Sequence, residues 1–340
     1  MLCASSALGW LVIVYPQRPG PGEGGVVSVQ LRPGADVDAV AATLHAAGTL
    51  TDVRLFGLYL RAMGASGALR EGEVMLRDGM SPRTLLRRVA RGFGSSELRI
   101  TIPEGYSRFE IAALLERWAV CDGDGFLAAS VDQALLGELG IEATSAEGYL
   151  FPDTYLLRDE TRPVEILRRL VRNARRRIAT LDGTTNARWK QLAASHGWGE
   201  YELLTLASVV EMEAGVADER PLIAGVFVNR LVDPEFRPHR LQADPTVAYG
   251  CLLQPRLPPC RDFDGRRVTR RMTGDAANRY NTYRHDGLPP GPIGNPGLGS
   301  LRAVLAPAQH GHYYFVARGD GRHAFSATLE QHHAAVARFR

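Results

Sequence analysis

The first third of the chain alternates short apolar runs with segments of helical spacing. Strand patterns occupy Val26–Leu31, 72–76 and 98–102, and apolar residues recur at helical spacing in 36–47, 52–63 and 81–90. The order strand, helix, helix, strand, helix predicts a small α/β module at residues 26–100.

The remainder of the chain has a mostly helical pattern. Ser107 and Glu110 form a capping box that opens an amphipathic helix, and longer helices are predicted at 163–181, 186–196, 200–213 and 219–232. Residues 234–297 are rich in Pro, Gly, Asn and Asp, and a loop region of that length inside a domain is usually functional. Residues 312–317 and 323–326 predict a C-terminal β-hairpin, followed by a helix from Thr328. Together these patterns predict an α+β protein.

The N-terminus has a separate pattern. Residues 1–15 are apolar and uncharged, and residues 16–25 form a Pro/Gly-rich stretch that predicts a flexible linker. The apolar run is shorter than the roughly 20 residues of a membrane-spanning helix, and no basic residue precedes it. A short or truncated membrane anchor, a signal remnant, a span cut by a late start codon and a buried core helix remain as alternatives.

Composition narrows the function classes. The 340 residues are 45% hydrophobic, which allows a large core and, at roughly 100–200 residues per domain, predicts two domains. A net charge of +3 gives no indication of a nucleic-acid partner. No histidines are spaced as HxxxH or HExxH, so we expect neither a metal nor a cofactor. Cys251 and Cys260 could form a disulfide or remain as two thiols.

The helix at 203–215 carries the candidate acid. Glu211 and Glu213 lie near its C-terminal end. Side chains two residues apart on a helix point about 200° away from each other, so each glutamate lies at an opposite border of the apolar face. Periodicity therefore does not choose between them. A carboxyl placed against apolar groups at a helix C-terminus has a raised pKa and suits a general acid. The alternative is two solvated surface glutamates.

Several polar residues downstream suit a carbohydrate cleft. Asn229 ends the helix PLIAGVFVNRL, and Asp244 precedes a proline in LQADPTVAYG. Tyr280 and Tyr283 enclose the YNTY motif, which leads into the rigid turns of 287–297. Rings stack on sugars and amides bind hydroxyls, although plain turn punctuation would also explain each motif taken alone.

The longer motifs resemble one known family. The segments EGYLFPDTY (147–155), LASVVEMEAGVADERPLIAGVFVNRL (206–231), LQADPTVAYG (241–250), YNTY (280–283) and GLPPGPIGNPG (287–297) occur in the order and nearly the spacing of the endolytic murein transglycosylases, the MltG/YceG-like family. IPEGYS (102–107) and the C-terminal 312–332 are also similar. The resemblance runs from about residue 26 to the C-terminus.

The resemblance implies a single-pass inner-membrane protein that faces the periplasm. It implies a LysM-like module at 26–100 and a catalytic domain at 101–340. The implied reaction cuts peptidoglycan glycan strands without water, leaves 1,6-anhydro-N-acetylmuramic acid ends and terminates nascent strands, with peptidoglycan synthases as partners. The resemblance selects Glu213 as the catalytic acid and places Gln242, Asp244 and Asn281 in the cleft, where Tyr280, Tyr283 and Asn229 are expected to join them.

Two other functions remain as alternatives. A muramidase would use water, with Glu213 paired to a second carboxylate such as Asp244. A non-enzymatic scaffold would bind the wall through the LysM-like module and the anchor alone.

Overall fold

A computed structural model describes residues 10–65, 69, 71–91, 97–118, 120–158, 161–181, 187–265 and 267–339. The chain divides into one unit of Met1–Leu98 with Leu157–Asp159 and a second unit of Arg99–Leu156 with Glu160–Arg340. Helices and small two-stranded sheets occur along the whole described chain, which confirms the predicted α+β class.

The first unit contains the predicted order of elements. Strand β1 (Val26–Leu31) pairs antiparallel with β2 (Gly72–Arg77), and helices α1 (Val37–Ala46) and α2 (Val53–Ala62) lie between them in sequence, with α3 (Pro82–Arg91) following. The carboxylates of Asp36 and Asp52 accept hydrogen bonds from the first turns of α1 and α2 and fix where these helices begin. The apolar faces of the sheet and helices pack into one core, whose fully buried members include Leu31, Leu44, Phe56, Leu60, Leu76 and Leu85.

The predicted flexible linker at 16–25 is held against the turn that follows β2. The backbone N–H of Gly20 donates to the Gly79 carbonyl at 3.0 Å, and that of Gly24 donates to Oδ1 of Asp78 at 2.7 Å. The structure therefore differs from the prediction, because the turn offers acceptors to a glycine-rich segment whose backbone can approach closely.

The N-terminal apolar segment is described from residue 10. Trp10–Val14 form a π-helical turn and Tyr15–Gln17 a 3₁₀ turn, and the ring of Tyr15 is buried beside Tyr59. Across the described ranges, no helix has the length and apolar character needed to cross a membrane. The predicted anchor at 1–15 includes residues 1–9, which lie outside the described residues, so it stays a prediction.

The second unit is mostly helical. Its helices are α4 (Arg108–Arg117), α5 (Gly123–Ala129), α6 (Gln133–Glu138), α7 (Pro163–Ala179), α8 (Ala187–His196), α9 (Glu200–Glu213), α10 (Arg220–Val232), α11 (Asp244–Leu253), α12 (Arg270–Thr273), α13 (Leu298–Leu305) and α14 (Leu329–Phe339). Strand β3 (Glu97–Thr101) pairs with β4 (Thr154–Arg158), and β5 (Tyr314–Ala317) forms an antiparallel hairpin with β6 (His323–Ser326), as predicted for the C-terminus. Helix α9 packs against α10 and α13 at the centre.

The Pro/Gly-rich region at 234–297 is ordered around a disulfide. Cys251 is bonded to Cys260, with their Cα atoms 5.1 Å apart, which decides between the two alternatives that the sequence leaves open. The bond is buried with Val247 and Met272, and the ring of Tyr283 packs against this cluster. Short helices and bonded turns thus give a rigid scaffold to a segment of low helical content.

Candidate active site

Helix α9 is buried on all sides along most of its length. Residues 203–210 are all buried, including Thr205 and Ser208, whose hydroxyls donate to backbone carbonyls of the same helix. The sequence predicted one apolar face on this helix. A helix surrounded by protein is instead apolar on every side, apart from hydroxyls that are hydrogen-bonded to its own backbone. The last turn of α9 therefore emerges from the core with Glu211 and Glu213.

Glu211 has a structural role. Its side chain is 6% exposed, and one carboxylate oxygen accepts from Nη2 of Arg220 at 2.9 Å. The other oxygen accepts from the backbone N–H of Gly297 at 3.0 Å. Both oxygens are engaged, so Glu211 joins the end of α9 to the start of α10 and to the turns before α13.

Glu213 is placed differently. Its carboxyl makes no hydrogen bond or ion pair with another described residue, and its side chain is partly exposed. Burial and, to a smaller extent, the negative charge of Asp244 raise the pKa of Glu213 to about 7, although the positive charge of Arg230 partly opposes them. A carboxyl with this pKa is protonated in a large fraction of molecules at neutral pH.

Glu213 opens into a cleft with a volume of about 390 Å³. We call it the Glu213 cleft. One side of the cleft is formed by the last turns of α9 and α10 together with the YNTY turn. The β5–β6 hairpin forms a second side, and one face of α14 forms the third. Its lining residues are Glu213, Arg230, Gln242, Asp244, Tyr283, Tyr314, Phe315, Val316, Ala317, His323, Leu329, His332, His333 and Val336.

Three of the predicted binding residues lie in this cleft beside Glu213. Asp244 is the first residue of α11, and Oδ1 of its carboxylate accepts from the hydroxyl of Tyr283 at 2.8 Å. Gln242 has a φ of 54°, a left-handed conformation that is uncommon outside glycine, and its side chain is exposed. Strained backbone of this kind is concentrated at functional sites.

Arg230 is a cleft residue that the sequence did not indicate. Its Nε donates to the Tyr313 carbonyl at 2.6 Å and its Nη1 donates to the Leu241 carbonyl. The guanidinium carbon lies 5.4 Å from the centre of the Tyr314 ring, and burial lowers the pKa of Arg230 to about 10. It brings a fixed positive charge to the side of Glu213.

The other three predicted binding residues are not among the residues that line the cleft, and their role in binding stays a prediction. Nδ2 of Asn229 donates to the carbonyls of His310 and His312, both at 2.9 Å. Nδ2 of Asn281 donates to three backbone carbonyls at 272, 273 and 275. The ring of Tyr280 packs on Tyr249, with 5.1 Å between ring centres. Their polar groups fold the loops behind the cleft.

The buried carboxyl of Glu147 connects three separate segments of the chain through hydrogen bonds. Glu147 accepts from the backbone N–H of Arg108 at 3.0 Å, from the hydroxyl of Tyr249 at 2.8 Å and from Nδ2 of Asn295 at 2.7 Å. Burial raises its pKa to about 7, while these donors oppose the rise. It connects EGYLFPDTY to the GNPG turn, so the long motifs of the sequence meet at a packing site behind the cleft.

Within the described part of the chain, no group of three or more His, Cys, Asp or Glu side chains is placed to hold a metal ion. A partly buried glutamic acid beside a carboxylate, in a cleft lined by rings and an exposed amide, defines a general-acid site of the type used on glycosidic bonds.

The chain belongs to the YceG-like family, whose sequence model matches residues 29–338. This confirms the family that the motifs predicted. The crystal structure of a YceG-like protein from Listeria monocytogenes is 25% identical and has a TM-score of 0.58, covering 92% of this chain and 99% of the other.

Named relatives point to one enzyme class. The endolytic murein transglycosylase of Bacillus subtilis (strain 168) is 28% identical over 330 residues, which cover 92% of this chain and 84% of the relative. Two Streptococcus pneumoniae proteins of the same name, from strains D39 and R6, are 28% identical over 344 residues. The chain spans 58% of the length of these two. The predicted class, a peptidoglycan lytic transglycosylase, is that of all three relatives.

Proposed function

We propose that the protein is an endolytic lytic transglycosylase that cuts the glycan strands of peptidoglycan, with Glu213 as the acid. The observation that carries the proposal is the state of Glu213, an unpaired carboxyl with a pKa raised to about 7 that lines the cleft. Such a group can donate a proton to a departing glycosidic oxygen. The substrate class follows from the activity for which the relatives are named.

The proposed reaction uses one carboxyl twice. Protonated Glu213 donates its proton to the glycosidic oxygen while the bond from that oxygen to C1 of N-acetylmuramic acid breaks. The Glu213 carboxylate then accepts the proton of the C6 hydroxyl of the same sugar, and that oxygen forms the new bond to C1. The products are a 1,6-anhydro-N-acetylmuramic acid end and a free hydroxyl end, and Glu213 returns to its protonated form.

Neighbouring charges support both steps. Positive charge develops at the ring oxygen and C1 as the bond breaks, and the Asp244 carboxylate in the same cleft stabilises it. Arg230 stabilises the Glu213 carboxylate that exists between the two proton transfers. Tyr283 holds Asp244 in position through its hydroxyl.

A hydrolytic muramidase is the second candidate, because Asp244 provides a second carboxylate in the same cleft. Glu213 would act as acid while Asp244 activated water or stabilised the charged sugar. The activity named for the relatives favours the lytic reaction. A purely structural scaffold has no use for an unpaired acid with a raised pKa, so Glu213 argues against that function.

We infer further that residues 26–100 are a LysM-like module that binds glycan. The supporting observation is its strand–helix–helix–strand order with β1 antiparallel to β2. We also propose that residues 1–15 anchor the chain in the inner membrane with the catalytic domain in the periplasm, where it would terminate nascent strands beside peptidoglycan synthases. The Cys251–Cys260 disulfide supports an oxidising compartment.

Mass spectrometry of fragments released from purified sacculi tests the reaction. We expect internal fragments with anhydro-muramic acid ends from the wild type and none from Glu213→Gln. Glu330→Gln is the matched control, since Glu330 is an exposed glutamate on α14. Reducing ends would favour the muramidase, and equal release by Glu213→Gln would refute the assignment of the acid.

A further inference from the structure

The β5–β6 hairpin is fixed directly to the segment that follows Glu213. A Cβ on Gly215 would lie 2.2 Å from the carbonyl oxygen of Gly321, so the two backbones meet at a distance that only glycine allows. Nη2 of Arg322 donates to Oδ2 of Asp218 at 2.9 Å. The next pair, Glu219 and His323, is buried. These three contacts set the position of the hairpin relative to the acid.

Glu219 determines which ring nitrogen of His323 carries hydrogen. The backbone N–H of His323 donates to both carboxylate oxygens of Glu219 at 3.2 Å, and ring Nδ1 lies 2.8 Å from Oε2. An ionised carboxylate is an acceptor only, so Nδ1 is the donor in this pair. The ring stands at 85° to that of Phe315, with centres 5.3 Å apart, which fixes its plane.

The remaining ring nitrogen is available to substrate. Nε2 of His323 makes no hydrogen bond with another described residue, and His323 lines the Glu213 cleft. The cleft therefore contains an oriented acceptor on the hairpin side.

We propose that His323 is a substrate-binding residue of the Glu213 cleft and that Glu219 is its positioning residue. Nε2 accepts a hydrogen bond from a hydroxyl or an acetamido N–H of the bound sugar. The nature of the sugar rests on the proposed function. The pairing of Glu219 with His323 does not.

Binding measured in the Glu213→Gln background tests the proposal without cleavage. The probe is a soluble tetrasaccharide of alternating N-acetylglucosamine and N-acetylmuramic acid, followed by calorimetry. We expect Glu219→Leu, which leaves no acceptor for Nδ1, and His323→Gln each to weaken the Kd about tenfold, the effect of one lost hydrogen bond. Because Glu219 acts through His323, the double variant should bind no more weakly than His323→Gln alone.

Asp218→Asn is the matched control. It removes the exposed partner of Arg322 from the same three-contact series, and we expect it to bind like its background. Nitrogen NMR gives a second readout, since the Nδ1–H tautomer signal of His323 should be lost in Glu219→Leu while the spectrum of the folded domain persists. If Glu219 and His323 served only to hold the fold, loss of the Nδ1–H tautomer would leave the Kd for the tetrasaccharide unchanged.

Three outcomes would overturn the proposal. They are equal binding by Glu219→Leu and its control, a double variant whose loss is the product of the two single losses, and a tetrasaccharide that binds none of the proteins. The product analysis of the wild type decides the proposed reaction separately, so failure of one does not imply failure of the other.

Discussion

At the scale of single residues, two glutamates on one helix turn have different chemistry because their neighbours differ. Glu211 has donors on both oxygens, whereas Glu213 is buried without a donor from another described residue and feels the like charge of Asp244 and the opposing charge of Arg230. Burial and the like charge of Asp244 raise the pKa of Glu213 and so favour its neutral, protonated form. This contrast supports the proposal that Glu213, and not Glu211, is the acid.

The raised pKa of Glu213 predicts the pH dependence of cleavage. The reaction begins with the protonated acid, so the rate should fall as pH rises through about 7, by about tenfold per pH unit well above it. Initial rates of fragment release between pH 5 and 9 measure this limb. A rate that rises from pH 6 to 8 would mean that Glu213 first acts as a base.

Asp244 should determine the pH at which the cleavage rate begins to fall, which we call the alkaline limb of the pH–rate profile. Replacing Asp244 by Asn removes a like charge, so the pKa of Glu213 should fall and the limb should move to lower pH by roughly half a unit to one unit. Asp286→Asn, which loses an exposed pair with Arg240, should leave the limb in place. An unmoved limb in Asp244→Asn would show that the two carboxyls do not interact.

Sequence reasoning found part of the site, and the chemistry of each side chain explains which part. The residue pattern alone gave Glu213 only as one of two candidates with Glu211, and the resemblance to the family selected Glu213 and placed Asp244 in the cleft. An amide such as Asn281 binds sugars and backbone carbonyls equally well, so its type does not reveal that it holds a loop. Arg230 and His323 enter the cleft through packing between distant segments, which no local pattern encodes.

At the scale of elements, the sequence predicted best where a cap coincides with periodicity. The capping box at Ser107 and Glu110 gave the start of α4, and the spacing of apolar residues gave α1 and α2, whose caps Asp36 and Asp52 the structure shows. Helices α5 and α6 were not predicted, because seven and six residues are too few to display a helical period. Strand β4 was also not predicted.

The disulfide beside α11 should contribute to stability. It closes a loop with a sequence separation of 9, which constrains the unfolded chain and is worth about 2–3 kcal/mol. The double variant Cys251→Ser, Cys260→Ser should lose about that much free energy of unfolding in urea. Reductant should reduce the stability of the wild type and leave that of the variant unchanged. Equal sensitivity of both proteins would contradict this account.

At the scale of the whole molecule, the acid reduces the stability of the fold at high pH. A carboxyl whose pKa rises from 4.5 when unfolded to about 7 when folded keeps its proton in the native state after the unfolded state has lost its own. The free energy of unfolding therefore falls as pH rises from 4.5 to 7 and then levels off. The pKa of Glu147 is also raised in the folded state, so Glu147 likewise lowers the free energy of unfolding as pH rises.

Glu213→Gln should consequently be more stable than the wild type at neutral and alkaline pH. We expect a gain of about 1–2 kcal/mol at pH 8 and little gain at pH 4.5, after allowing for the partial exposure of the side chain. Urea midpoints at the two pH values measure it, and the Glu147 contribution cancels in the comparison. A variant less stable than the wild type at pH 8 would contradict the raised pKa.

The most direct test of the central claim is cleavage of glycan strands in water enriched in ¹⁸O, followed by mass spectrometry of the new ends. If the C6 hydroxyl attacks C1 and Glu213 transfers the proton, the wild type should give anhydro ends that carry no ¹⁸O. One ¹⁸O atom in each new reducing end would show that water attacks instead, and the single-acid account would be wrong.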